Sequence, residues 1–115
     1  MVKKLEFSKV FESKIRLQII ACLYEETLSF NDLKRICDVT DGNMSTHTKK
    51  LKGEGFISER KIINKNKRIT MYSLTNKGRQ EFINYIKLLN ELVTEEEQQN
   101  EKNNFNDAYC FTNSL

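Results

Sequence analysis

Between Gly53 and Thr75 the apolar residues of this 115-residue chain recur with a period of two, and on either side with a period of three to four. A single interruption of that kind leaves room for one β-hairpin in an otherwise helical chain, a mainly α fold of the α+β class. From Ser13 to about Glu26, Ile15, Ile19, Cys22 and Leu23 mark one helical face, and Leu17, Ile20 and Tyr24 widen it. A helix apolar over so much of its circumference belongs at the centre. Ser29 and Asp32 have the spacing of a capping box, in which a hydroxyl and a carboxylate each serve an orphan backbone amide. Phe30, Leu33 and Ile36 then form the buried stripe of a short second helix ending near Asp38. A third helix starts at Thr40 or Asp41, either of which can act as its N-cap.

The third helix is the unusual one. Its apolar positions are Met44, Thr48 and Leu51, at i, i+4 and i+7, and little else on it is apolar, so most of its surface must face something polar. Gly53 and Gly55 end it. Phe56 to Ile63 and Arg68 to Leu74 read as two strands around the polar loop Asn64, Lys65, Asn66, Lys67, with Ile57, Ile63, Tyr72 and Leu74 facing inward. Thr75 can cap a last helix running to about Glu97, on which Phe82, Ile86, Leu89 and Val93 step by 4, 3 and 4 and Tyr85 and Leu92 broaden the seam. Residues 1–97 are therefore expected to form one domain, with residues 98–115 a polar tail low in aliphatics and expected to be disordered.

Composition excludes several classes. With 38% hydrophobic and 30% charged residues, the chain suits one small globular domain. It has no apolar run long enough for a membrane span, and its start lacks the apolar centre of a secretory signal, so a cytoplasmic location is expected. Cys22, Cys37 and Cys110 are widely spaced and form no CxxC pair, which argues against a disulfide framework or a zinc knuckle; Cys22 and Cys37 read as small core residues. No Ser, His and Asp set, paired carboxylates, glycine-rich phosphate loop or HExxH is present, and His47 is the only histidine. Neither an enzyme nor a metal or cofactor site is expected. His47 is expected to pack against the preceding helix or flank a groove. Charge is asymmetric: Met1 to Thr75 carries 15 basic against 9 acidic residues, Asn76 to Leu115 carries 4 against 7, and Lys49 to Arg68 alone carries 8 against 2. Such a local excess is the electrostatic footprint of something that meets phosphates.

Three helices followed by a basic hairpin is the outline of a winged helix-turn-helix, in which the third helix enters the DNA major groove and the hairpin wing lies on the adjacent backbone or minor groove. The chain also resembles the small MarR/ArsR-like winged-helix transcriptional regulators. The resemblance rests on "SKIRLQIIACL" as opening helix, "FNDLKRICDVTDGNMSTHTKKLKGEGFI" as helix-turn-helix leading into the wing, and "YSLTNKGRQEF" entering the last helix, and it covers roughly Phe7 to Tyr85. It implies a homodimeric regulator that binds double-stranded DNA at promoters. One departure is Thr48, where that family usually carries a bulky aliphatic residue, which predicts a looser third helix. The metal-sensing branch would offer a close cysteine pair on the second helix, and only Cys37 stands there.

On this outline Asn43, Ser45, Thr46 and Lys49 lie away from the apolar stripe and are candidates for reading base edges: Asn suits adenine, Lys guanine, and Ser or Thr either. Arg35, Gly42, Lys50, Lys52, Lys65, Lys67 and Arg68 are candidates for the DNA backbone, Gly42 through free amides at a helix N-terminus. Phe82, Tyr85, Ile86, Leu89, Leu92 and Val93 are the expected dimerisation seam, and two copies would read a two-fold related operator. Rival readings of the same fold are a protein-interaction module and a ligand- or redox-responsive sensor.

Overall fold

The computed structural model describes residues 6–100, with side chains as far as Thr94. A 3-10 turn at Lys9–Glu12 leads into α1 (Lys14–Glu25), then β1 (Leu28–Ser29), α2 (Phe30–Cys37), α3 (Asp41–Gly53), β2 (Ile57–Asn64), β3 (Lys67–Leu74) and α4 (Asn76–Asn100). Two compact units divide inside α4, after Ile83. The first holds the helix-turn-helix and the sheet. The second is the remainder of α4, where Leu88, Leu89 and Leu92 are half-buried and Ile86 and Val93 are exposed.

Local chemistry sets most boundaries. Ser13 Oγ accepts from the Arg16 amide at the start of α1, and Ser29 and Asp32 complete the expected capping box of α2. α2 ends where Asp38 turns left-handed, at φ 55°, and Thr40 Oγ1 accepts from the Asn43 amide to open α3. At the far end of α3, Gly55 takes φ 80° and the Phe56 amide donates to Leu51 O at 2.9 Å. Thr75 then fastens the next helix to this turn. Its hydroxyl donates to Gly55 O at 2.6 Å and accepts from the Gly78 amide at 2.9 Å. Gly78 cannot be anything larger, because a Cβ there would lie 2.2 Å from Phe56 O.

The sheet is antiparallel with strand order β1-β3-β2, Leu28 pairing with Tyr72 and Ile57 with Leu74. The two-residue strand β1 was not expected: it is too short to show a period. The hairpin loop is also tighter than the four residues expected. Asn64 pairs with Lys67, and only Lys65 and Asn66 turn, at φ 53° and 65°. Positive φ at both central positions is type I′ geometry, whose twist matches the flanking strands.

The core is built from Ile19, Ile20 and Leu23 of α1, Leu33 of α2, Met44 and Leu51 of α3, and Phe56, Ile57 and Tyr72 of the sheet. Val10 and Phe11 of the 3-10 turn join it, the Phe11 ring meeting Phe56 edge-on at 5.6 Å. Two expectations fail. Ile36 is exposed and Cys37 takes the buried place four residues after Leu33. Ile63 has the face parity of Ile57 yet is 74% exposed, because the strands extend beyond the helices that cover Ile57 and Tyr72. The last helix also runs to Asn100, past the expected end near Glu97; the rest of the tail expected to be disordered, with Cys110, lies outside the described residues. Among those described, no helix is long and apolar enough to cross a membrane.

Candidate nucleic-acid interface

α3 buries Met44, Thr48 and Leu51 almost completely, and its opposite side is open. Asn43, Thr46 and Lys49 are exposed there and Ser45 is half-buried. Thr46 Oγ1 donates to Gly42 O, so its hydroxyl is tied to the helix. Gly42 is exposed, and a Cβ on it would meet nothing within 4 Å, so packing does not require a glycine at that place.

Thr48 does not leave α3 loose. Its hydroxyl donates to Ser45 O at 3.1 Å and lies beside the buried Tyr72 phenol of β3. Tyr72 faces Glu59, its cross-strand partner, and burial pushes the Tyr72 phenol up. Glu59 accepts from Lys52 Nζ at 2.8 Å and from Lys61 Nζ at 3.2 Å. These lysine hydrogen bonds hold the Glu59 carboxyl below the usual carboxylate range. Thr48, Tyr72, Glu59 and Lys52 thus form a polar cluster between α3 and the base of the wing.

The backbone candidates divide by partner. Arg35 pairs with Asp32 at 2.8 Å, Lys50 with Glu54 at 3.5 Å and Lys52 with Glu59. Lys49, Lys65, Lys67 and Arg68 are exposed and make no hydrogen bond or ion pair among the described residues. On the wing, strand alternation places Arg68 on the face of Glu59 and Tyr72, Lys67 on the other face, and Lys65 in the turn. Glu59 and Lys61 were absent from the expected site. An acid of the same parity as Tyr72 in a basic hairpin was the available signal.

His47 meets Arg16 of α1. Arg16 Nη1 lies 3.4 Å from His47 Nδ1, while Arg16 Nε donates to Val10 O and Nη2 to Lys9 O. A guanidinium only donates, so Nδ1 must accept and the imidazole is neutral with its proton on Nε2. Burial first, and the Arg16 charge second, pull the His47 pKa below its ordinary value. Cys22 and Cys37 are half-buried and buried, and desolvation raises both thiols. On the last helix, Phe82 rests on Tyr24 with ring centroids 5.4 Å apart, so the first residue of the expected seam already packs within its own chain. Among the described residues no group of three or more His, Cys, Asp or Glu side chains could hold a metal ion.

Residues 15–93 match the family described as a winged helix DNA-binding domain. An uncharacterized protein of Methanocaldococcus jannaschii is 44% identical over 79 residues, which span 68% of this chain and 86% of that one. The fold is similar to that of a transcriptional regulator homologue from Pyrococcus horikoshii, with a TM-score of 0.72 at 22% identity over 78% of this chain and 90% of the other. It is also similar to that of PadR from Bacillus subtilis, solved in complex with operator DNA, with a TM-score of 0.56 at 28% identity over 61% of this chain and 45% of PadR.

Proposed function

The chain belongs to the winged helix DNA-binding domain family, and from that premise we propose that it is a sequence-specific regulator of transcription, a binding protein and not an enzyme. It works in the cytoplasm as a homodimeric repressor on a two-fold related operator. The carrying observation is α3 itself: one side is sealed against its own chain through Met44, Thr48 and Leu51, and the other presents Asn43, Thr46 and Lys49 to solvent. Beside it stands a hairpin whose tip carries the uncommitted cations Lys65, Lys67 and Arg68. That arrangement supports α3 in the major groove and the wing on the flanking backbone. PadR, a protein of similar fold solved in complex with operator DNA, supports a DNA-binding role. Ile86 and Val93, seven residues apart and both exposed, support pairing through the last helix.

The test is a titration of labelled duplex DNA at several salt concentrations, with variants of each class. Several phosphate contacts per subunit make log affinity fall steeply and linearly with log salt. Asn43→Ala or Lys49→Ala should reduce discrimination between sequences by about 1 to 3 kcal/mol per lost bidentate contact. Lys65→Ala or Lys67→Ala should weaken all sequences alike. Identical behaviour of the two classes would contradict the division of roles, and salt-insensitive binding would contradict the function.

A further inference from the structure

The cations near α3 and the wing are not equally available. Lys49, Lys65, Lys67 and Arg68 have no partner among the described residues, whereas Lys52 and Lys61 both donate to one carboxylate, that of Glu59. Lys52 comes from the last turn of α3 and Lys61 from the middle of β2. Glu59 therefore sits where the recognition helix meets the base of the wing, between the cations of the helix and those of the tip. Its cross-strand neighbour is the buried Tyr72.

We infer that Glu59 is a specificity-determining residue: it keeps Lys52 and Lys61 from the phosphate backbone and so limits sequence-independent attraction between the recognition helix and the wing tip. The inference rests on the DNA-binding reading above. Each cation given to a phosphate releases counterions and adds affinity that carries no sequence information. A carboxylate at the same place repels phosphate and occupies the ammonium groups that would meet it. Binding then depends more on Asn43, Ser45, Thr46 and Lys49. The two ammonium groups are 40% and 61% exposed, and such solvated pairs add little stability, so a substitution here changes charge more than folding. Glu59→Gln is the sharpest change, because it keeps the size of the side chain and an accepting oxygen while the negative charge is gone.

The experiment uses the full chain and two labelled duplexes, one selected by the wild-type protein from a random-sequence pool and one of mixed sequence. Affinity is followed by fluorescence anisotropy across a fourfold range of salt. Glu59→Gln should bind the mixed duplex more tightly at low salt, and its log-log salt slope should steepen by up to about two per chain, an extra loss of about tenfold across that range. The ratio of selected to mixed affinity should shrink, and Glu59→Asp should behave like wild type. In the wild-type background Lys61→Gln should barely change the slope, whereas Lys65→Gln should reduce it by about 0.9. If Glu59→Gln fails to fold, the Lys61 and Lys65 comparison decides alone. An unchanged or shallower slope in Glu59→Gln, or equal slopes in Lys61→Gln and Lys65→Gln, overturns the inference while leaving DNA binding intact. A wild type without salt-dependent duplex binding overturns the functional reading and the inference together.

Discussion

Thr48 is the residue at which a family habit and this chain part. A hydroxyl in a core position would normally loosen the helix, but here Thr48 is 2% exposed and its hydroxyl donates to Ser45 O. Thr48→Val keeps the shape and removes that bond, and the expected cost is about 1 kcal/mol, read as a lower denaturant midpoint. An increase in stability would mean that the hydroxyl is merely tolerated. His47 gives a second residue-scale prediction. Its folded pKa lies below its unfolded one, because the native site keeps the ring neutral against Arg16. The unfolded chain then binds the extra proton first as pH falls below about 6.5. The stabilising effect of the neutral ring is complete above that value and is lost as pH drops towards the folded pKa. A proton titration of the native His47 ring should give a midpoint below 6.5, and His47→Gln should remove that part of the pH dependence of melting.

At the scale of elements, the wing carries a compromise. Lys65 holds φ 53° in a type I′ turn, a conformation that suits Asn or Gly far better than Lys. Replacing Lys65 with Asn and Asn66 with Gly should stabilise the fold by about 1 kcal/mol, raising the melting temperature by roughly 4 to 8 °C. The same change removes a tip cation and should weaken duplex binding for every sequence alike. A variant with unchanged melting would remove the strain from this account of the turn. The helix starts at Ser13, Ser29, Thr40 and Thr75 were legible in the sequence because capping is local chemistry between residues three apart. The open side of α3 was legible from the three-residue stripe that leaves nothing else to bury. Other features depend on longer range. β1 has two residues and no period to read, Val10 and Phe11 belong to a turn of four residues, and a Lys-Asn turn carries no glycine to mark it. The tie of Lys52 to Glu59 exists only once α3 and β2 approach each other, so sequence spacing alone does not show it.

The whole molecule is expected to act in pairs. Ile86 and Val93 are exposed on the last helix, while Phe82 is engaged with Tyr24, so the proposed pairing surface would begin one turn later than the apolar seam. Changing Ile86 and Val93 together to Glu should convert a dimer to a monomer in sedimentation equilibrium and roughly halve the salt slope of operator binding. A slope and mass equal to wild type would place the interface elsewhere. On the proposed function, α3 turns its open side to a duplex, with the wing beside it. Amide chemical-shift mapping on titration with a selected duplex measures this directly. The expected result is that the largest shifts fall in residues 41–50 and 64–68. Shifts confined to other elements, or none at stoichiometric DNA, would contradict it.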